Sequence, residues 1–128
     1  MARILIAEDE TSVREFVGRA LQVDDHVVTM VEDGAKALGA LENETFDLLL
    51  ADIRMPVLDG VSLALKVSKE HPALPILLMT GYAKELQRAK NLDALIHGVL
   101  QKPFSLQQIC DAAAEAISAA TAGRPKTV

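Results

Sequence analysis

Short apolar runs alternate along this chain with longer segments in which apolar residues recur every three or four positions. Continuous apolar runs of this length are typical of strands buried on both faces of a sheet, whereas the three-to-four spacing is typical of helices with one buried face. The apolar runs predict five strands, at residues 3–7, 26–31, 47–51, 75–80 and 95–101. The intervening segments predict five helices, at residues 12–22, 35–43, 61–70, 83–90 and 106–120.

Strands that alternate with helices predict a parallel α/β sheet, because each strand–helix–strand crossover must be right-handed and returns the chain in the same direction. We expect a doubly wound (βα)5 fold of the flavodoxin-like type, with helices on both faces of a five-stranded parallel sheet in the order 2-1-3-4-5. Two sequences of the form S-x-x-E/Q, at residues 12–15 and 105–108, predict capping boxes at the first and last helices. The helix at 83–90 has few apolar positions, so we expect weak packing and mobility there.

The size and charge of the chain narrow the classes of function. With 128 residues, half of them apolar, it forms one domain, which we place at residues 1–122, followed by a disordered tail at 123–128 that begins at the helix-breaking Gly123. A net charge of −5 and the lack of any Lys/Arg cluster argue against nucleic acid or anionic membranes as partners. The single cysteine, Cys110, and the absence of a membrane-length apolar run predict a cytoplasmic protein with Cys110 in its core. We also expect a monomer.

Polar side chains that could bind a metal ion and a phosphoryl group follow four of the predicted strands. Glu8 and Asp9 follow the first, Asp52 the third, Thr80 the fourth and Lys102 the fifth. Parallel strands end at one edge of the sheet, so these side chains should meet there. Three carboxylates at one point would repel each other unless a cation lay among them, and a set of oxygen ligands favours Mg²⁺ over Zn²⁺. With the metal, Thr80 and Lys102 could hold the oxygens of a phosphoryl group.

A different chemistry is excluded at the same edge. Nucleotide-binding α/β proteins have a glycine-rich turn after the first strand, and this chain has three acids there, at residues 8–10. Each polar residue taken singly could equally be a helix cap, a turn residue or a solvated surface group. Their joint occurrence at the ends of the predicted strands favours a common site.

These residues lie in motifs that resemble the receiver domain of bacterial two-component response regulators. The motifs are Glu8-Asp9, the stretch DIRMPVLDG that begins at Asp52, Met79-Thr80-Gly81 and Lys102-Pro103-Phe104, and the resemblance extends over residues 3–122. It implies that Asp52 is the phosphoacceptor, with Thr80 as the switch hydroxyl and Lys102 paired with the phosphoryl group. It also implies that Mg²⁺ is held by Glu8, Asp9, Asp52 and the backbone carbonyl of Arg54, and that the peptide bond before Pro103 is cis.

One position departs from the receiver pattern. Receivers usually have an aromatic residue three positions before the lysine, where its rotamer follows the threonine, and this chain has Val99. Tyr82, the only tyrosine, lies two positions after Thr80 and could report the switch instead. It could equally be an exposed aromatic residue on a loop.

The resemblance implies a histidine kinase or histidine phosphotransferase as phosphodonor. Segments such as MARILIAEDE, LLMTGYA and NLDALIH are similar to stand-alone receivers of alphaproteobacteria. That likeness implies an adaptor that serves the ClpXP protease or its substrates in the cell cycle, located in the cytoplasm and at a cell pole. An alternative is a phosphate sink or shuttle in a phosphorelay.

A third hypothesis belongs to another class of protein, a Mg²⁺-dependent small-molecule phosphohydrolase. It ranks last because haloacid-dehalogenase-type enzymes need an acid two residues after the nucleophile, and Arg54 occupies that position.

Overall fold

The computed structural model describes residues 1–122, and the predicted tail at 123–128 lies outside the described residues. Five strands alternate with five helices as the sequence predicts. The strands are β1 Arg3–Ala7, β2 Val27–Val31, β3 Leu48–Asp52, β4 Ile76–Thr80 and β5 Gly98–Gln101. The helices are α1 Thr11–Val23, α2 Gly34–Asn43, α3 Gly60–Glu70, α4 Ala83–Lys90 and α5 Leu106–Ala122.

The sheet is parallel throughout, and its strand order β2-β1-β3-β4-β5 confirms the predicted doubly wound fold. The neighbouring strands β3 and β4, which end at Asp52 and Thr80, are buried at every position, which explains their apolar sequences. Ala7 of β1 pairs with Ala51 of β3, and Asp52 pairs with Met79 of β4. This register brings the carboxyl ends of the central strands to one edge.

Side chains alternate between two apolar clusters, one on each face of the sheet. Leu5, Leu49 and Leu78 pack against α2, α3 and Ala89 of α4. Ile6 and Leu50 pack on the other face, against α1 and α5. The strand alternation thus accounts for helices on both faces of the sheet.

The predicted element boundaries agree with the structure to within two residues except at the start of the fifth strand, and one predicted capping box is absent. The fifth strand begins at Gly98 rather than at residue 95, because the backbone N–H groups of Leu95 and Ile96 donate to Leu92 O in a turn. Helix α1 begins at Thr11, and its N-cap residue Glu10 has no side-chain capping bond. Ser12 therefore lies inside the first turn, where its hydroxyl donates to Glu10 Oε1 at 3.2 Å, and the predicted capping box is absent.

Helix α4 has little buried surface, and Cys110 is less buried than predicted. Only Ala89 of α4 is buried, as its sparse apolar pattern predicts, while the mobility of α4 stays a prediction. Cys110 is half-buried rather than a core residue; its Sγ donates to Ala20 O, and burial raises the pKa of the thiol, with Asp24 and Asp111 adding to the effect. Within residues 1–122, no helix combines the length and apolar character needed to span a bilayer.

Candidate functional site

Three carboxylates meet at the carboxyl edge of the sheet. Asp52 is the last residue of β3 and is 6% exposed, and Glu8 follows β1 and is completely buried. Asp9 is exposed at the mouth of the site. Each residue offers one carboxylate oxygen, and these oxygens lie within 4.8 Å of one another. The arrangement could hold a metal ion, and its all-oxygen donors suit a hard cation such as Mg²⁺.

Lys102 supplies a fixed positive charge to the same site. Its Nζ donates to Glu8 Oε1 at 2.7 Å and lies 3.1 Å from Asp52 Oδ1. The backbone positions it too, because the Lys102 N–H donates to Thr80 O at 2.7 Å. The following peptide bond, to Pro103, is cis, as the resemblance implies. Lys102 thus bridges the two buried carboxylates directly.

Burial is the largest single influence on the pKa of Glu8, Asp52 and Lys102. It raises the pKa of Glu8 to about 7, and the neighbouring Asp52 charge raises it further, against the hydrogen bond from Lys102. Burial also raises the pKa of Asp52, again against the effect of Lys102. Burial alone would lower the pKa of Lys102, but Glu8 and Asp52 outweigh it and the pKa is raised. When all three carboxylates are ionised they outnumber the single charge of Lys102, and a second cation would neutralise the excess.

Thr80 ends β4 beside the acidic residues and is 1% exposed. Its Oγ1 accepts a hydrogen bond from the Tyr82 N–H at 3.1 Å. This bond ties the buried hydroxyl to the loop that leads into α4. The hydroxyl also donates to Tyr82 O at 3.5 Å, so a new acceptor for its proton would remove a contact with that loop.

The β3–α3 loop holds Asp52 in place through its backbone. Gly60 donates from its N–H to Ile53 O at 2.8 Å, and a Cβ at Gly60 would lie 2.3 Å from the backbone oxygen of Asp52. Asp59 accepts a hydrogen bond from the Ser62 N–H at 2.8 Å and caps α3. A side chain at position 60 is incompatible with this close approach, which explains the glycine.

Arg54, Tyr82 and Glu85 form a contact group that the sequence did not predict. The Arg54 guanidinium stacks on the Tyr82 ring, with Cζ 3.7 Å from the ring centroid. Arg54 Nε lies 3.7 Å from Glu85 Oε1, and Arg88 Nη1 donates to Glu85 Oε2 at 2.7 Å. Only the Glu85–Arg88 pair carries a sequence signal, since it has the (i, i+3) helix spacing. The other contacts join Arg54 in the β3–α3 loop to the N-cap and first turn of α4, which are distant in the sequence.

Val99 lies within β5, and Pro103 follows that strand in the β5–α5 loop. Val99 is partly buried and packs against the apolar cluster that faces α2 and α3. Pro103 lines an apolar groove of about 360 Å³ between α1 and the β5–α5 loop, together with Ser12, Val13, Phe16, Lys102 and Phe104. Phe16 is 42% exposed there. The structure thus leaves Val99 partly buried and Pro103 at a surface groove next to the acidic site.

A parallel (βα)5 domain with carboxylates, a hydroxyl and a lysine at the carboxyl edge of its sheet defines a class of phosphoryl-accepting signalling domains. The sequence profile of the response regulator receiver domain matches residues 4–114. This chain belongs to that family, which confirms the resemblance seen in its motifs. Members of the family generally act as switches rather than enzymes, and they take phosphoryl groups from histidine kinases or phosphotransferases.

Individual relatives give the same result. The response regulator receiver protein CpdR of Brucella abortus (strain 2308) is 38% identical over 109 residues, which cover 85% of this chain and 91% of that protein. The response regulator MprA of Mycobacterium sp. (strain KMS) is 34% identical over 107 residues, covering 84% of this chain but 46% of MprA. The chain is therefore similar to CpdR over nearly its whole length, and to less than half of MprA.

Solved structures agree with the fold. The CheY-like receiver domain protein of Methanospirillum hungatei JF-1 superposes with a TM-score of 0.89 at 26% identity, covering 97% of this chain and 99% of that one. The chemotaxis response regulator CheY4 of Vibrio cholerae superposes with a TM-score of 0.82, also at 26% identity, covering 91% and 98%.

Proposed function

We propose that this chain is a single-domain response regulator that accepts a phosphoryl group on Asp52 and thereby changes its protein partners. The observation that supports this most directly is Lys102 Nζ, within 3.1 Å of Asp52 and hydrogen-bonded to Glu8 in a cluster of three carboxylates. The phosphodonor is a histidine kinase or a histidine phosphotransferase.

Glu8, Asp9, Asp52 and the backbone carbonyl of Arg54 would hold Mg²⁺, which supplies positive charge for the phosphoryl oxygens. An Asp52 oxygen attacks the phosphorus of a phosphohistidine, and the P–N bond breaks with its electron pair returning to the imidazole. Lys102 holds one phosphoryl oxygen through this step. Attack of water on the same phosphorus later releases inorganic phosphate and restores the Asp52 carboxylate.

The phosphodonor would lie in the apolar groove at Pro103. Lys102 lines this groove and also contacts Asp52, so a partner seated there reaches the phosphoacceptor. Phe16 and Leu106 provide exposed apolar surface along the same side of the molecule, at 42% and 47% exposure. Such surface suits an amphipathic helix of the partner.

The switch would begin at Thr80. A phosphoryl oxygen on Asp52 offers the Thr80 hydroxyl a charged acceptor, and a hydroxyl that donates its proton there gives up its donation to Tyr82 O at 3.5 Å. Tyr82, 53% exposed, then serves as the readout, since Val99 has no ring that could follow the threonine.

For the output we propose an adaptor role like that of CpdR, in which one phosphorylation state serves the ClpXP protease or its substrates in the cell cycle. The location would be the cytoplasm and a cell pole, and the protein would act as a monomer. The similarity to CpdR over 91% of that protein supports this proposal over the alternative of a phosphate sink or shuttle. A Mg²⁺-dependent phosphohydrolase remains last, because Arg54 stands where a general acid would be required.

The test of the phosphoryl chemistry is incubation with acetyl phosphate, with and without Mg²⁺, read by intact mass. Wild type should gain one phosphoryl group only with Mg²⁺, and Asp52→Ala should gain none. Asp111→Ala, which removes an exposed carboxylate on α5, is the matched control and should behave as wild type. If wild type gains nothing from acetyl phosphate or from a phosphorylated relay protein, the proposal is wrong.

A second experiment separates adaptor from sink. Immobilised protein with and without beryllofluoride, a phosphoryl mimic, is compared with Asp52→Ala for retained proteins. An adaptor retains a partner other than the phosphodonor in one state only, whereas a sink retains the phosphodonor alone.

A further inference from the structure

The loop after β3 is tied to the start of α4 by contacts that phosphoryl transfer itself does not use. We name the contacts of Arg54 with the Tyr82 ring and with Glu85 the Arg54 latch. The guanidinium lies over the ring at 3.7 Å, and Nε lies 3.7 Å from Glu85 Oε1. The Arg54 side chain is 57% exposed, so water reaches the guanidinium in both contacts. Contacts of this kind are individually weak.

Glu85 can lose Arg54 without being left as an unpaired buried charge. Its side chain is only 12% exposed, and Arg88 Nη1 donates to it at 2.7 Å. Arg88 is itself held by Asp59, with Nη2 3.7 Å from Oδ2. An isolated buried carboxylate would be costly, but Arg88 keeps Glu85 paired when Arg54 leaves. The latch can therefore open at low cost.

Arg54 also faces the site where the phosphoryl group would be added. A cavity of about 440 Å³ is lined by Asp9, Arg54, Asp59, Glu85 and Arg88, together with loop residues. Asp9 belongs to the carboxylate cluster that contains Asp52. Phosphorylation of Asp52 would add strong negative charge beside this cavity, and a guanidinium binds phosphoryl oxygens through paired hydrogen bonds.

We propose that the Arg54 guanidinium exchanges partners on phosphorylation, leaving Tyr82 and Glu85 to bind the phosphoryl group on Asp52. The exchange replaces two weak surface contacts by charge-assisted hydrogen bonds. It uncovers one face of the Tyr82 ring and detaches the start of α4 from the β3–α3 loop. In this chain the exchange signals phosphorylation in place of an aromatic side chain at position 99, where the chain has Val99. The inference rests on the proposed phosphorylation of Asp52.

Tyr82 gives a direct signal for the exchange, because the chain has one tyrosine and no tryptophan. Quenching of tyrosine emission by acrylamide measures how much of the Tyr82 ring is accessible. In wild type, Mg²⁺ and beryllofluoride should raise the quenching constant. In Arg54→Gln the ring face is already uncovered, so the constant should start high and stay unchanged. This substitution keeps the Arg54 backbone carbonyl.

A double-mutant cycle separates the exchange from general electrostatics. Glu85→Gln weakens the closed latch, so by linkage it should tighten beryllofluoride binding by about two- to fivefold. In the Arg54→Gln background the same Glu85→Gln change should have no effect on affinity. A simple loss of negative charge near the site would tighten binding equally in both backgrounds.

The exchange at Arg54 and the phosphorylation of Asp52 are overturned by different results. Equal tightening in both backgrounds, or a wild-type quenching constant that beryllofluoride leaves unchanged despite binding, overturns the exchange and leaves the phosphoacceptor role of Asp52 intact. Failure of wild type to bind beryllofluoride or to gain a phosphoryl adduct overturns both.

Discussion

Lys102 Nζ donates a hydrogen bond of 2.7 Å to Oε1 of Glu8, a completely buried carboxylate 94 positions earlier in the chain. Despite this partner, burial and the adjacent Asp52 raise the pKa of Glu8 from 4.5 to about 7. A proton and a metal ion therefore compete for the same carboxylate near neutral pH. The stability of the fold should therefore depend on both pH and Mg²⁺ concentration through Glu8.

The metal-free protein should lose stability as the pH rises from about 4.5 to about 7. In this window the unfolded chain releases the Glu8 proton while the folded chain retains it, so folding becomes less favourable with rising pH. The difference between the ends of the window should be about 3 kcal/mol. Urea unfolding in the presence of EDTA at several pH values measures it. A flat profile would contradict the raised pKa.

Mg²⁺ should change the same profile. Because the metal binds the ionised carboxylates, added Mg²⁺ should stabilise the protein strongly at pH 8 and little at pH 5. Glu8→Gln is the control: it removes the titrating group, so both the slope of the metal-free profile and much of the Mg²⁺ effect should disappear.

Gly60→Ala should destabilise the protein by about 1–3 kcal/mol. The added Cβ would lie 2.3 Å from the backbone oxygen of Asp52 and 2.8 Å from Ile53 Cα, and backbone atoms cannot move aside cheaply. The same clash displaces the phosphoacceptor, so adduct formation should fall as well. Gly39→Ala is the matched substitution. Gly39 lies in α2, and a Cβ added there would have no atom within 4 Å, so the change should stabilise the protein by about 0.5–1 kcal/mol. Denaturant unfolding of both variants checks the contrast.

The sheet order and the gathering of Glu8, Asp52, Thr80 and Lys102 could be predicted from sequence, because strand ends carry the polar residues and the crossover rule aligns those ends. The start of β5 could not, since the apolar residues Leu95 and Ile96 continue the strand pattern although they lie in a turn. The latch could not either. Its contacts join Arg54 in the β3–α3 loop to Tyr82 and Glu85 at the start of α4, and no periodic pattern predicts which side chains a loop residue meets.

Val57→Asn should stabilise the protein by about 1 kcal/mol. Val57 has φ 70° in the β3–α3 loop, a conformation that disfavours a β-branched residue and that asparagine tolerates. Its side chain is 82% exposed, so the substitution gives up little burial. Asp25, at φ 64°, is the control, because Asp25→Asn exchanges two residues that both tolerate this region and should change little. Thermal unfolding compares the two, and an unchanged or lower midpoint for Val57→Asn would contradict the strain.

Ser105→Ala should destabilise the protein by about 1 kcal/mol, whereas Ser12→Ala should have almost no effect. Both serines stand in S-x-x-E/Q sequences, but only the second sequence forms the predicted capping box. Ser105 Oγ accepts from the Gln108 N–H at 3.1 Å, and Gln108 Oε1 accepts from the Ser105 N–H at 2.7 Å. Ser12 lies within α1 and bonds only to the Glu10 side chain, so its removal leaves no helix N–H without a partner. Urea unfolding of the two alanine variants measures the difference. Equal losses would mean that the hydroxyl of Ser12 contributes through a contact other than capping.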